Sequence, residues 1–234
     1  MSETLNDVFI DLSSPSDRLI IFFTGKNVAD VKRSFNFMGV SQRLPVKKIF
    51  VRDVQNKWYH GCFKGVGDGP DELVNYLKSV IDSCKPQRVV TCGASMGGYA
   101  AILFGCLLKA NMVIAFGPQT FIDWQNRLKY LDGRSFREKN RLYRLASAKR
   151  EYFVLRPLVE RVGRDTGVII HVGQHRLDNR HAEQLADLPN VRLVKHDYKR
   201  HEISRALKSR GLLIPILLEA LELKASPMEG LISA

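Results

Sequence analysis

Gly93-Ala94-Ser95-Met96-Gly97-Gly98 decides the fold, because the sequence before it predicts a strand and the sequence after it predicts a helix. Residues 88–92 (RVVTC) are rich in β-branched side chains and follow a proline. Residues 99–104 (YAAILF) are apolar and contain good helix formers. A serine in so tight a turn adopts a strained backbone, and the positions two residues before and after it have no room for side chains. Gly93 and Gly97 meet that requirement, although an ordinary glycine-rich turn is the alternative.

This Gly-x-Ser-x-Gly pattern, set between a strand and a helix, resembles the nucleophile elbow of the α/β-hydrolase superfamily. The resemblance covers nearly all of the chain, from the strand at Leu19 to the helix after His201. Residues 93–99, 115–120 and 201–212 also loosely resemble small hydrolases associated with bacterial polysaccharide biosynthesis. The resemblance implies an α/β-hydrolase fold: a mostly parallel, doubly wound sheet with a helical cap insertion after the strand at 112–116.

The length and composition of the chain indicate a single α/β domain over residues 1–234, since 234 residues with 45% hydrophobic content suffice for a substantial core. The first residues lack a basic region followed by an apolar run, so we expect no secretory signal. The apolar stretch at 211–223 is too short to span a bilayer. We expect a soluble, cytoplasmic protein whose four cysteines, which lack metal or redox spacing, are reduced and structural.

Apolar strand patterns alternate with helical patterns along the chain, which predicts a parallel sheet. Strands are predicted at 8–12, 18–23, 45–51, 88–92, 112–116, 167–173 and 191–196. Helices are predicted at 70–84, after the serine turn, at about 179–188 and at 203–211. The strand at 18–23 is continuously apolar and is expected to be buried at the centre of the sheet.

The resemblance also implies an oxyanion hole made of two backbone N–H groups. One belongs to Met96, the residue after the serine, and the other to the loop after the strand at 18–23. That loop is Thr24-Gly25-Lys26-Asn27, so Gly25 or Lys26 is the candidate donor. The alternative is a plain turn that ends the strand, because the loop lacks the run of glycines found in many lipases.

Three more residues are candidates for substrate binding because of the loops on which they lie. Trp58 and Tyr59 belong to an aromatic loop expected near the carboxyl edge of the sheet, and Gln119 lies in the turn after the strand at 112–116. For the aromatic loop, a packed surface loop is the alternative to a pocket wall.

In α/β-hydrolases the catalytic acid and base follow the two final strands, in the chain order Ser, Asp, His. Asp178 and His201 occupy those places. The resemblance therefore implies Ser95 as the nucleophile, His201 as the general base and Asp178 as the acid that orients it. It implies no metal and no organic cofactor.

Alternatives stay open for both assignments. Asp178 is also suited to cap the helix expected directly after it, and Asp197 is the fallback acid. His201 has the features of an exposed histidine at the start of a helix. His196 or His175 is then the alternative base.

The alternation of strands and helices stops between residues 120 and 163, where we expect the cap insertion. Residues 127–164 hold twelve lysines and arginines against four acidic residues, a net +8 of the formal +12 of the whole chain. An amphipathic cap helix is expected to carry much of this charge on its polar face. Its apolar face comprises Phe136, Leu142, Tyr143, Leu145 and Ala146, and its polar face comprises Arg137, Lys139, Arg141 and Arg144.

The basic segment supports several explanations. A positive field attracts anionic substrates, so Arg137, Arg141 and Arg144 are candidate substrate-binding residues. A solvated basic helix face is the commoner explanation. Aromatic residues alternate with the cations, but no recognised nucleic-acid-binding motif accompanies them, and we expect no nucleic-acid partner.

The sequence favours a serine hydrolase that cleaves a carboxylic ester or thioester through an acyl-enzyme. An acyltransferase that uses a sugar or another hydroxyl acceptor is the alternative within the same fold. A non-catalytic binding module that keeps the scaffold is the competing class. The expected partner is a small-molecule or saccharide acyl ester, and an anionic one if the basic segment acts on the substrate.

Overall fold

The sheet at the centre of the fold is built from the apolar stretches of the sequence. The computed structural model describes residues 7–26 and 35–224, which form a seven-stranded sheet and a separate two-stranded antiparallel pair. The strands are β1 (Val8–Asp11), β2 (Arg18–Phe23), β3 (Lys47–Val51), β4 (Cys62–Phe63), β5 (Gly67–Asp68), β6 (Arg88–Ala94), β7 (Met112–Phe116), β8 (Gly167–Val172) and β9 (Val191–Lys195).

The large sheet has the strand order β1-β3-β2-β6-β7-β8-β9. All neighbouring strands run parallel except β1, which is antiparallel to β3. This confirms the predicted mostly parallel sheet. The last residue of β2, Phe23, lies opposite Val51 of β3 and Gly93 of β6. The loops that follow these strands therefore emerge side by side at one edge of the sheet.

The central strand β2 is buried on both faces, as its continuously apolar sequence predicts. Leu19, Ile21 and Phe23 belong to the core on one side of the sheet, and Ile20 and Phe22 belong to the core on the other side. Alternation of side chains along a strand thus supplies both cores from a single stretch.

Nine α-helices are assigned in the described part of the chain, and those that pack on the sheet cover both of its faces, as expected for a doubly wound fold. They are α1 (Met38–Ser41), α2 (Gly69–Cys84), α3 (Met96–Leu107), α4 (Trp124–Lys129), α5 (Phe136–Leu142), α6 (Arg156–Arg161), α7 (Arg176–Glu183), α8 (Ile203–Ser209) and α9 (Leu213–Ala220). Helices α2, α3, α6 and α7 contribute to one core, and α1, α8 and α9 contribute to the other.

Two helices show where the sequence signals hold and where they fail. Helix α2 has Pro70 in its first turn and buries Leu73 and Leu77, as its periodicity predicts. Helix α7 begins at Arg176, three residues before the predicted start. His175 is the last residue before it with an extended backbone. Asp178 therefore lies inside the first turn of the helix instead of preceding it.

Residues 120–163, which we call the cap segment, contain α4, α5, a 3-10 helix (Arg150–Tyr152) and α6 between β7 and β8. Leu142 is buried, as expected. The predicted faces of the cap helix are wrong at Phe136 and Ala146, which are exposed, and at Lys139, which is fully buried. The helix is only seven residues long, and the Lys139 ammonium turns inward, where a buried carboxylate, that of Asp132, lies 3.6 Å away.

All four cysteines are free. Cys92 and Cys106 are buried, which fits their apolar sequence context, whereas Cys62 is exposed and Cys84 is half-buried. Among the helices of residues 7–26 and 35–224, none combines the length and hydropathy needed to cross a membrane.

Candidate active site

Ser95 lies in a strained turn between β6 and α3. Its backbone has φ 56° and ψ −117°, a conformation that L-residues rarely adopt. A Cβ atom on Gly93 would lie 2.0 Å from the carbonyl oxygen of Gly97, and a Cβ on Gly97 would lie 2.2 Å from that of Phe23. Both glycines are therefore required by the backbone of their neighbours, which is the constraint that the sequence pattern predicts.

The structure brings Ser95, His201 and Asp178 together in one hydrogen-bonded chain. His201 Nε2 lies 2.9 Å from Ser95 Oγ, and His201 Nδ1 lies 2.7 Å from Asp178 Oδ2. Asp178 comes from α7, after β8, and His201 precedes α8, after β9. Gly117, with φ 51°, makes room for both: a Cβ there would lie 3.3 Å from Asp178 Oδ2 and 3.5 Å from the imidazole.

Asp178 is almost fully buried, and its neighbours favour the ionised carboxylate. Burial raises the pKa of its carboxyl, but the hydrogen bond with His201 and the positive charge of Arg134 outweigh burial, so the pKa lies below its ordinary value. Arg134 Nη1 donates to Asp178 Oδ1 at 2.8 Å. The carboxylate therefore uses one oxygen for His201 and the other for an arginine of the cap segment.

The alternative acids and bases lie elsewhere. His196 Nε2 is 2.9 Å from Nδ1 of His171, with which its ring stacks. Asp197 accepts a hydrogen bond from Gln174 at 2.9 Å. His175 is closer to the site, with Nδ1 3.3 Å from Asp178 Oδ1, but that nitrogen makes no hydrogen bond. Asp178 itself does not cap α7, because both of its oxygens are occupied by His201 and Arg134.

Comparisons with solved structures identify the same architecture in enzymes of low sequence identity. A capsule O-acetyltransferase of Neisseria meningitidis serogroup A superposes with a TM-score of 0.66 at 13% identity, over 90% of each chain. MenH from S. aureus superposes with a TM-score of 0.60 at 12% identity, over 92% of this chain and 98% of that one. An α/β-hydrolase from the metagenome of lagoon sediments at Mar Chica, Morocco, gives 0.58 at 15% identity, over 95% and 100%. The chain has the α/β-hydrolase fold.

A variant of the same acetyltransferase has been solved in complex with CoA, with a TM-score of 0.64 at 13% identity over 88% of this chain and 90% of that one. No family model matches the chain, and a search of curated proteins finds no match. The likeness at this identity establishes the fold and not the chemistry.

The predicted oxyanion loop of this α/β-hydrolase fold lies beside the serine turn. A Cβ on Gly25 would lie 2.9 Å from the carbonyl oxygen of Ala94, so the loop approaches the turn at backbone distance. Met96 is the first residue of α3, where an N–H has no partner within the helix. Lys26 Nζ points to the cap segment and donates to Ser135 Oγ at 3.1 Å. Asn27 lies outside the described residues.

Of the three candidate pocket residues, two are linked to the serine. Gln119 Nε2 lies 3.5 Å from Ser95 Oγ, and Gln119 Oε1 accepts from Trp58 Nε1 at 3.2 Å. Tyr59 is a core residue instead: it is fully buried, and its hydroxyl donates to the carbonyl of Thr24 at 2.8 Å. It fixes the carbonyl at the start of the predicted oxyanion loop.

No local sign in the sequence indicates a group of polar side chains behind Asp178, which we call the inner cluster: Asp132, Arg134, Lys139 and His181. Arg134 binds Asp132 through Nε at 2.9 Å and Nη2 at 3.2 Å, so its guanidinium joins Asp132 to Asp178. Asp132 is fully buried. Burial opposes its ionisation, but hydrogen bonds from His181 and Arg134 hold its pKa well below the ordinary value.

Hydrogen bonds fix the tautomer of His181. The backbone N–H of Thr120 donates to its Nδ1 at 3.0 Å, so the proton resides on Nε2 and is donated to Asp132, also at 3.0 Å. Burial lowers the pKa of His181 to about 4, which keeps the ring neutral. Because His181 and Asp178 lie three residues apart on α7, the cap segment contacts one face of the helix that carries the candidate acid Asp178.

The three arginines predicted to bind substrate are not brought to this site. Arg137, Arg141 and Arg144 are exposed. Together with Lys129 and four apolar residues, they are the exposed charged and large apolar side chains of residues 123–144, and we call these eight side chains the outer face. Its apolar members are Trp124, Leu128, Leu131 and Phe136.

One group of potential metal ligands occurs within the described residues. It consists of His175, Asp178 and His201, whose ligand atoms lie within 4.8 Å of one another. Two of these residues are already hydrogen-bonded to each other, and the guanidinium of Arg134 occupies the remaining oxygen of Asp178. A second positive charge at this position is electrostatically unfavourable.

Proposed function

We propose that the protein is a serine hydrolase that cleaves a carboxylic ester or thioester through an acyl-enzyme on Ser95. The observation that carries the proposal is the unbroken chain from Ser95 through His201 to Asp178, with distances of 2.9 and 2.7 Å. The strained backbone of Ser95 supports the proposal too, because a turn of this kind holds the serine Oγ at the carboxyl edge of the sheet.

In the proposed reaction, His201 Nε2 accepts the proton of Ser95 as Oγ attacks the acyl carbon. Asp178 stabilises the imidazolium that results. The backbone N–H of Met96 and that of Gly25 or Lys26 bind the negative oxygen of the tetrahedral intermediate. His201 then gives its proton to the leaving group, which departs and leaves the acyl group on Ser95.

Water completes the cycle when His201 removes a proton from it and the hydroxide attacks the acyl-enzyme. His201 returns that proton to Ser95 as the acid product leaves. Gln119, within 3.5 Å of Oγ, is suited to contact the acyl group or its leaving group. A small-molecule or saccharide acyl ester is the proposed substrate, and the four unpaired cysteines are compatible with the reducing conditions of the cytoplasm.

An acyltransferase is the second candidate function, favoured by one observation. The fold is shared with a capsule O-acetyltransferase, a variant of which was solved with CoA. In that case a hydroxyl of an acceptor replaces water in the second half of the reaction. Hydrolysis of an activated acetyl ester with and without sugar acceptors separates the two, since a transferase yields acetylated sugar in place of free acetate.

The proposed nucleophile is tested with a fluorophosphonate probe and a short p-nitrophenyl ester. We expect Ser95→Ala to abolish labelling and to reduce turnover by as much as a million-fold. Ser79→Ala, at an exposed position on α2, is the matched control and keeps both. A Ser95→Ala protein that still labels, or that keeps more than a few per cent of the parent rate, contradicts the assignment. Absence of labelling in the parent favours a non-catalytic binding module.

The base and the acid are tested in matched pairs. His201→Ala is expected to be nearly inactive, whereas His196→Ala keeps most activity. Asp178→Asn is expected to lose roughly 10⁴-fold, by analogy with another triad, whereas Asp197→Asn is not. The reverse ranking in either pair overturns that assignment.

A further inference from the structure

The outer face exposes an unusual concentration of large apolar side chains. The described residues expose seven such side chains, and four of them lie between residues 124 and 136. These four are also the most exposed of the seven: Trp124 at 56%, Leu128 at 67%, Leu131 at 74% and Phe136 at 60%. Scattered single residues of this kind are normal on a protein surface, but a cluster indicates a binding surface.

The four residues belong to one continuous part of the molecule. Trp124 and Leu128 are one turn apart on α4, and the N–H of Leu131 bonds the carbonyl of Leu128 at 3.2 Å. The buried guanidinium of Arg127 lies 5.1 Å from the ring centroid of Phe136 and so joins the start of α5 to α4.

The charge of the outer face has one sign. Its exposed charged residues are all cationic: Lys129, Arg137, Arg141 and Arg144. The three carboxylates of residues 123–144 are not exposed: Asp132 is fully buried, Asp123 caps α4, and Glu138 is paired with Lys26. The outer face therefore combines apolar side chains with an excess of positive charge.

We propose that the outer face docks on the surface of a lipid bilayer that contains anionic lipids. Aromatic and leucine side chains enter the boundary between headgroups and acyl chains, while lysines and arginines bind the anionic headgroups. This proposal goes beyond the catalytic proposal and does not depend on it.

Two other occupants fit the outer face less well. A second copy of the chain would bring two positively charged faces together, which is electrostatically unfavourable. Protein interfaces also concentrate apolar residues at the centre and leave charges at the rim. Here the two kinds alternate, with Lys129 between Leu128 and Leu131 and Arg137 beside Phe136. A bilayer accommodates that mixture, because long cationic side chains extend to the phosphates while their neighbours insert.

Docking would bring the lipid surface close to the candidate active site. The loop between Leu131 and Phe136 carries Arg134, which donates to Asp178. The same loop is tied to the oxyanion loop through Lys26 and Ser135. An acyl donor or acceptor held in the membrane would then be presented at the end of the sheet that carries Ser95.

The chain contains its own reporter for this interaction. It has two tryptophans, and Trp58 is fully buried whereas Trp124 lies on the outer face. We expect a blue shift of tryptophan fluorescence, together with co-sedimentation, when vesicles of phosphatidylcholine and phosphatidylglycerol are added at low salt. Vesicles of phosphatidylcholine alone should give neither, and Trp124→Phe should abolish the shift while co-sedimentation persists.

Variants that keep every charge distinguish docking from simple electrostatic attraction of a basic protein to anionic vesicles. Leu128→Gln/Leu131→Gln is expected to lose the blue shift and to bind at least about tenfold more weakly. Leu212→Gln, which alters a leucine exposed to 46% outside the cap segment, is the matched control and binds as the parent does. Thermal midpoints close to that of the parent show that the variants are folded.

Three results would overturn the proposal. The first is the absence of binding to anionic vesicles. The second is equal binding of the parent and Leu128→Gln/Leu131→Gln without a fluorescence shift, which indicates attraction by net charge alone. The third is a parent dimer in solution that the double variant abolishes, because the outer face is then an interface between copies of the chain.

Discussion

The cap segment carries cations on two sides, and the two sets differ in what they contact. In the inner cluster, Arg134 and Lys139 face two carboxylates, Asp132 and Asp178, so the charges balance within the protein. On the outer face the exposed cations face solvent and have apolar neighbours. A run of basic residues in a sequence therefore has no single function: inner cations hold a network together, and outer cations remain available for partners.

The difference has an energetic basis. A buried charge costs several kcal/mol unless it is paired, so the inner cations are tied to particular carboxylates and tolerate little change. Exposed charges interact weakly and are screened within about 8 to 10 Å at physiological salt. Substitutions in the inner cluster should consequently have larger effects, and effects of a different kind, than those on the outer face.

The largest effect is expected for stability at Lys139. Burial lowers the pKa of this lysine to about 8, against the opposing charge of Asp132. Between that value and the ordinary value of 10.5, the unfolded chain binds more protons than the folded one, so stability rises with pH through this range. The free energy of unfolding of the parent should rise relative to Lys139→Met by about 2 kcal/mol on going from about pH 8 to about pH 10.

Urea unfolding at the two pH values measures this difference. Lys129→Met, on the outer face, is the matched control. A pH-dependent difference of the same size in the control would show that burial of Lys139 is not its cause. If the stability of the parent falls instead of rising relative to Lys139→Met, the attraction of Asp132 outweighs burial and keeps the Lys139 ammonium charged.

A smaller effect, on catalysis, is expected at Arg134, and it rests on the proposed triad. Removing the cation bonded to Asp178 weakens the hold on the acid and takes away one of the positive charges that lower the pKa of its carboxyl. Arg134→Gln should lower kcat/KM about tenfold, the value of a charge-assisted hydrogen bond. The acid limb of its pH profile should move to higher pH, while KM stays close to that of the parent.

Arg137→Gln, three residues away on the outer face, is the control for Arg134 and should leave the profile unchanged. His175→Gln is measured as well, because its imidazole is the other titratable group facing Asp178, at 3.3 Å. A rise in KM without movement of the acid limb would indicate that Arg134 binds substrate. Arg134→Gln should keep its tenfold loss of kcat/KM at high salt, because the contact between Arg134 and Asp178 is partly buried.

The sequence predicted the fold because each central element carries a local signal that tertiary structure had no reason to override. β2 is continuously apolar, α2 has proline and acidic residues at its start, and the glycines around Ser95 are required by backbone contacts. Asp178 and His201 were located by their order after the last two strands. All of these signals lie within a few residues of the position that they predict.

The inner cluster was missed because its signal is not local. Asp132 and Arg134 lie between two short helices, and their partners on α7 are more than forty residues away in sequence. The partial signal was the spacing of Asp178 and His181, two polar residues on one side of a helix that buries both. Periodicity also misplaced Lys139, because the pattern of polar residues carries no information about the buried carboxylate of Asp132, which lies 3.6 Å from the lysine ammonium.

The smallest effect is expected for substrate choice at the outer face. Arg137, Arg141 and Arg144 contact neither Ser95 nor its partners, so any influence on an anionic substrate acts through their field. We expect the parent to prefer a succinate monoester over a neutral butyrate ester, and the triple Arg→Gln variant to reduce the ratio of kcat/KM by about threefold at low salt. The change should appear in KM, because a field at the entrance alters encounter and not bond breaking.

Salt distinguishes this steering from the action of the inner cluster. At high ionic strength the Debye length falls to about 3 Å. The preference of the parent for the succinate monoester should then fall to the level that the triple variant shows at low salt. Arg134→Gln should keep its catalytic loss under those conditions. If neither salt nor the triple substitution changes the ratio of the two esters, the outer arginines play no part in substrate choice. Their role would then lie wholly in surface interactions, for which the vesicle experiment provides an independent measurement.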